Sequence, residues 1–279
     1  MRRWVPVLVV SFCAAAAGVG AASASAQLWK PDVKAARSYV KQRLHHTAAI
    51  SWAVRTPHGY WGQNGSRVYP SASVVKAMLL VAYLNLGSVK NRDLKKSDHD
   101  LIDPMIQRSD DHAANRVFKK VGFGGLRKLA KKVGMKRFKT GGGAPRSWGC
   151  SNAHWGCSSI DADDQTRFFL HYESFIIGQK APAHRIVALR LLNSIVSSQR
   201  WGIWRSKPDG WHLYCKAGWG LGTGWVDHQA SLLLQDSDGG RVALTILTYH
   251  DKSHSYGKQT LQGLAKRLLH GLKAHSVVL

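Results

Sequence analysis

The chain has 279 residues, 44% hydrophobic and 20% charged, which is enough for one sizeable core in one or two domains and excludes an intrinsically disordered protein. Lys and Arg number 40 against 16 Asp and Glu, a formal charge of +24 that would ordinarily raise nucleic-acid binding. The N-terminus argues against that reading. Met1, Arg2 and Arg3 form a basic start, Trp4 to Val19 is almost wholly apolar, and Ala24-Ser25-Ala26 offers small residues for cleavage before Gln27.

Residues 1–26 thus read as a secretory signal peptide, and the mature chain is expected to be extracellular, in or near a cell envelope. Losing Arg2 and Arg3 but no acid leaves it at +22. No later apolar run reaches the roughly 18 residues that span a bilayer, because Val74 to Leu86 is short and interrupted by Lys76. Cys13 leaves with the signal. Outside the cytosol thiols tend to pair, so Cys150 and Cys157 are the expected disulfide, with Cys215 single and buried. His154 between them admits a zinc reading, but no fourth ligand stands at metal spacing, and neither a metal nor a cofactor is expected.

In chain order, a helix is predicted from a cap at Asp32 to His46, then a strand over Ala49 to Arg55, a turn at His58-Gly59 and a return strand over Tyr60 to Gln63. Ser73 to Leu86 reads as an apolar helix closed by Gly87. The signals stay helical to about Val196, broken at Gly122, Gly134 and Thr140 to Pro145, with no convincing strand. Trp211 to Ala217, Trp225 to Leu234 and Arg241 to Tyr249 read as three strands, and Ser255 to Lys273 as a closing amphipathic helix. The simplest assembly is an α/β fold: a five-stranded antiparallel sheet made by both ends of the chain (27–70 and 205–279), flanked by terminal helices, with a helical domain (71–204) inserted. A cleft between the two parts is where a ligand site is expected.

Ser73 and Lys76 lie three apart at the start of the apolar helix, so they share a face, with the hydroxyl near unpaired N–H groups. Alone this spacing proves little, since Ser38 to Lys41 and Ser255 to Lys258 match it too. Two further segments strengthen it: Ser109-Asp110-Asp111 after a helical stretch, and Lys216-Ala217-Gly218 on the first strand after the helical block. With these the sequence resembles the penicillin-recognising serine hydrolases, the class A β-lactamases and related serine DD-peptidases, over nearly all of residues 30–273. Within that family it is similar to β-lactamase-like hydrolases exported by actinobacteria.

The resemblance implies an acylated nucleophile at Ser73, its general base at Lys76 and a proton donor to the leaving group at Ser109. It implies an electrostatic role for Lys216, an oxyanion hole from the N–H groups of Ser73 and Trp219, and a bracing role for Asn115. Asp111, Ala217, Gly218 and His228 fall where substrate is bound. Here the sequence departs from the pattern. Asp111 replaces an amide that donates to the substrate carbonyl, and when ionised it accepts and holds Lys76 protonated. Ala217 replaces a hydroxyl residue, and the strand from Trp225 has no arginine, leaving His228 as a weak substitute. Between Asp111 and Asp161 there is no acidic residue, so the deacylating glutamate is missing. Glu173, the sole glutamate, reads as a surface residue, and Asp161, Asp163 and Asp164 as a helix start.

Trp148, Trp155, Trp201, Trp204, Trp219 and Trp225 fall in segments expected near the cleft, either to stack on sugar rings or to pack the core. The expected activity is a serine acyl-hydrolase acting on an amide or ester of cell-wall peptide or glycan, with β-lactams as possible acylating ligands and weak or absent β-lactamase activity. Anionic wall polymers are expected surroundings. The alternatives are a working β-lactamase or D-alanyl-D-alanine carboxypeptidase, and a non-catalytic wall-binding protein that keeps the fold.

Overall fold

The structure is a computed structural model that describes residues 28–141, 154–220, 225–236 and 239–278. A short strand β1 (Leu28–Trp29) leads to helix α1 (Val33–Arg43), whose start is capped by the Asp32 carboxylate accepting from the Ala35 amide at 2.9 Å. Strands β2 (Thr47–Arg55) and β3 (Tyr60–Gln63) form a hairpin, followed by a two-residue strand β4 (Tyr69–Pro70). Next come a 3-10 turn over Ala72–Val75 and helix α2 (Lys76–Leu84). Helices α3 (Lys96–Gln107) and α4 (Asp111–Val133) continue the helical block, with the expected break at Gly122 appearing as a positive-φ kink within α4 and Gly134 as its left-handed cap.

Strand β5 (Ser159–Ile160), helix α5 (Ala162–Leu170) and helix α6 (Ala181–Asn193) complete that block. The chain then lays down β6 (Trp211–Trp219), β7 (Val226–Gln235) and β8 (Arg241–Asp251) and closes with helix α7 (His254–Leu268) and β9 (Val277–Val278). The five long strands form one antiparallel sheet in the order β3-β2-β8-β7-β6, so β6 is an edge.

The period-2 alternation of the strands divides the apolar residues between two cores. Leu233, Leu244 and Ile246 pack with Leu261 and Leu264 of α7, while Leu232, Ala243 and Leu247 pack with the helical block. Every residue of α2 is buried, including Lys76, as an apolar helix surrounded by others must be. Two ribbons were not expected. β4 pairs with β5 antiparallel and β1 with β9 in parallel, each through only two residues. Among the described residues no helix is long and apolar enough to cross a membrane.

Candidate active site

Ser73 lies on the 3-10 turn rather than in α2 itself, so its side chain stands one turn before the helix proper. Edge strand β6 runs directly against this turn. A Cβ on Gly218 would lie 2.8 Å from the Ser73 nitrogen and 2.9 Å from the Val74 nitrogen, so only glycine lets the two backbones approach this closely. The pattern-based reading placed Gly218 among substrate-binding residues; the geometry adds a steric reason for its identity.

Ser109 follows α3 in a left-handed backbone conformation, φ +59°, uncommon for a residue with a side chain. Asp110 beyond it caps α4 by accepting from the Ala113 amide at 2.7 Å. This bend turns Ser109 inward. Its Oγ lies 3.2 Å from Lys76 Nζ and 3.0 Å from Lys216 Nζ, so three of the four expected catalytic side chains meet on one hydroxyl. Lys76 also donates to the Ser109 carbonyl at 2.5 Å and to Asp111 Oδ1 at 2.6 Å, and Lys216 to the Ala217 carbonyl at 2.9 Å.

Both ammonium groups are sheltered from water. Burial pushes Lys76 below the ordinary lysine range, with Asp111 pulling the opposite way. Lys216 makes no ion pair among the described residues; burial and then the charge of Lys76 push it down to about 7, with Cys215 and Asp111 acting more weakly against. Two cations about 3 Å from one oxygen repel, and this repulsion adds to burial in lowering Lys216.

Trp155 closes the site from behind. It is buried, its ring centroid lies 4.9 Å from Lys76 Nζ, and its indole donates to Asn115 Oδ1 at 2.7 Å. The turn bearing Trp155 is tied to the Ser73 turn: the Ser71 amide donates to the Ser158 carbonyl at 2.7 Å and the Ser71 hydroxyl reaches the Gly156 carbonyl at 3.1 Å. Asn115 was expected to brace and Trp155 to lie near the cleft, but the tie between their turn and the Ser73 turn was not foreseen, and His154, read as a possible metal ligand, instead lies against Trp155 at 4.3 Å. Burial pushes His154 down, with Asp111 acting against and Lys76 adding to the shift, so its imidazole shares the field of the site.

Other expected residues do not converge. His228 is fully enclosed: its imidazole contacts the Pro70 carbonyl at 3.1 Å and the Thr248 amide at 3.3 Å, and burial pushes it down to about 4. It was expected to bind substrate, and it faces the interior of the fold. Ala217 is nearly buried and offers the site its carbonyl. Trp219 ends β6, its ring packed in a triangle with Trp201 (6.1 Å) and His254 (6.2 Å). Trp225 packs on Tyr249 and His250 instead, and Trp148 lies outside the described residues.

The acids after the loop are scaffold. Asp161 caps α5 and pairs with Arg137 at 2.6 Å, Asp163 pairs with the same arginine at 2.9 Å, and Asp164 accepts from the Lys136 and Arg137 amides. Glu173 is mostly buried and pairs with Arg241 at 2.7 Å, a correction to its expected surface role. Cys215 is a buried free thiol. Cys150 lies outside the described residues, so its pairing with Cys157 remains an expectation. Among the described residues no group of three or more His, Cys, Asp or Glu comes together as a metal site.

The antiparallel sheet, the helical insert and the meeting of Ser109 with two lysines at their junction define a β-lactamase-type hydrolase. The chain belongs to the Beta-lactamase enzyme family, whose model matches residues 92–272. Ser73 and Lys76 precede the matched segment and are tied to it by the contacts above. Solved structures share the fold at low identity. A β-lactamase from Sphaerobacter thermophilus superposes with a TM-score of 0.69 at 16% identity, covering 85% of this chain and 96% of that one. A class A β-lactamase from Mycobacterium abscessus gives 0.67 at 13%, covering 84% and 98%, and PBP-A gives 0.66 at 14%, covering 87% and 97%. No curated protein matches the chain.

Proposed function

We propose that the protein is a secreted serine acyl-hydrolase that attacks an amide or ester of cell-envelope peptide or glycan through an acyl-enzyme on Ser73, with weak or no β-lactamase activity. The observation that carries this reading is the meeting of Lys76 and Lys216 on the Ser109 hydroxyl, 3.2 and 3.0 Å away, beside the Ser73 turn. In the acylation step the Ser73 oxygen bonds to the substrate carbonyl carbon and gives up its proton through the lysine and Ser109 network. Ser109 delivers a proton to the leaving nitrogen or oxygen as its bond to carbon breaks. The N–H groups of Ser73 and Trp219, the latter at the end of an edge strand, are the candidate donors to the developing oxyanion.

The second half-reaction is the weak one. Each acid following the loop is occupied by Arg137 or by backbone amides, so none is free to activate water. A PBP-A variant has been solved as an acyl-enzyme complex with penicillin G, and by analogy a β-lactam is a reasonable acylating probe here. The Lys76–Asp111 pair favours a second reading, a non-catalytic wall-binding protein, because a lysine kept protonated accepts no proton from Ser73. Labelling with a fluorophosphonate separates the two. Labelling abolished by Ser73→Ala and intact in Ser38→Ala and Ser255→Ala supports the hydrolase, and absence of labelling over a wide pH range supports the binder.

A further inference from the structure

From the helical block we infer a binding track for a linear phosphate polyanion, away from the Ser73 site and independent of its chemistry. Two cavities, about 640 and 270 Å³, open on this block and share Leu86 and Gly87 in their walls. The larger is lined by Lys95, Arg116 and Lys120, and the smaller by Lys90, Lys128 and Lys132. The one carboxylate in either wall, Asp98, is fully engaged by both arms of Arg92 (2.6 and 3.0 Å), the Tyr83 hydroxyl and the Lys95 amide. None of the six cations has an ion-pair partner among the described residues.

This arrangement works against the stability of α4. Arg116 with Lys120 and Lys128 with Lys132 are like-charged pairs at i,i+4 spacing, which destabilise a helix, and no acid separates them anywhere between Asp111 and Asp161. A surface serving only solubility intersperses both signs. Arg116 and Lys120 stand before the Gly122 kink of α4 and Lys128 and Lys132 after it, so the cations line two adjoining cavities, more than a single phosphate can bridge and suited to a chain of them. Nucleic acid is the poorer fit. The only aromatic residue in either wall is Tyr83, which is buried, so the track offers phosphate contacts without a surface on which bases could stack. The ligand class is therefore a phosphodiester-linked polymer without bases.

The test uses inorganic polyphosphate as probe and the mature chain at about 0.15 M salt, where nonspecific attraction is partly screened. The triple variant Lys120→Gln, Lys128→Gln, Lys132→Gln keeps helix-forming residues. Its charge-matched control, Lys34→Gln, Arg37→Gln, Lys41→Gln, removes exposed cations that line a separate cavity on α1. Circular dichroism confirms that both remain folded. We expect about a tenfold loss of polyphosphate affinity in the α4 triple and less than twofold in the control. A difference of threefold or less between the two triples reduces the effect to net charge and overturns the proposal. Tighter binding of single-stranded DNA than of polyphosphate of equal charge overturns it as well.

Discussion

Lys76, with no side-chain exposure, donates at 2.6 Å to Asp111, whose carboxylate is 71% exposed. The ion pair thus joins a buried base to a group that water and salt reach freely. Burial lowers the Lys76 pKa and Asp111 raises it, so removing the carboxylate leaves burial unopposed. Asp111→Asn, which restores the amide expected from the motif, is predicted to raise the neutral fraction of Lys76 at pH 7. Fluorophosphonate labelling of Ser73 should accelerate by about tenfold, with its midpoint moved to lower pH. An unchanged pH profile would mean that Lys76 is not the proton acceptor.

Lys216 gives a pH dependence of stability with a definite sign. Its folded value is pushed down to about 7, below the ordinary lysine value, so the native state binds fewer protons than the unfolded chain above that pH. The cost to stability is complete below pH 7 and shrinks as pH rises toward 10, by at most roughly 1.4 kcal/mol per pH unit. Lys216→Met removes this term. Denaturant melts from pH 6 to 10 should show wild type gaining on the variant as pH rises, and parallel curves would count against a depressed Lys216. The same variant should label at least about 100-fold more slowly, because Ser109 loses a partner.

Much of this site was legible in the residue pattern, for a physical reason. Ser73, Lys76 and Ser109 stand at or beside helix ends, Lys216 lies within the strongly periodic strand β6, and Asp32 and Asp161 cap helices through local bonds to amides three residues on. What escaped rests on contacts distant in sequence. The burial of His228 depends on Pro70, 158 residues away, and the partner that Asn115 braces, Trp155, lies 40 residues away. The two-residue ribbons Tyr69–Pro70 and Ser159–Ile160 are too short to show alternation, and the left-handed Ser109 follows from the chain reversal between α3 and α4 rather than from its own preference.

Gly218→Ala tests the close approach of β6 to the Ser73 turn. The added methyl meets backbone nitrogens at 2.8 and 2.9 Å, so the turn or the strand must shift. A loss of about 1–3 kcal/mol in unfolding free energy is expected, with labelling of Ser73 slowed by more than tenfold. A variant with wild-type labelling would show that the turn tolerates displacement.

The thiols divide by location. Cys215 is enclosed and its thiol is pushed up to about 12 by burial, so it should resist a thiol reagent in the native state and react once in denaturant. Peptide mapping of the unreduced chain from Gln27 onward should recover Cys150 and Cys157 as one cross-linked pair. Two further reactive thiols in denaturant, or Cys215 in a mixed disulfide, would overturn the assignment.

The most direct measurement is time-resolved intact-protein mass spectrometry after mixing the chain from Gln27 onward with penicillin G, followed by peptide mapping. A Ser73 nucleophile with every acid after the loop held by Arg137 or backbone amides should add one penicillin on the Ser73 peptide and keep it for hours, with no adduct in Ser73→Ala. Removal of a positioned base of this kind slows proton transfer by about 10²–10⁴-fold, which sets the expected persistence. An adduct that survives Ser73→Ala, or rapid multiple turnover that Ser73→Ala abolishes, would contradict the account.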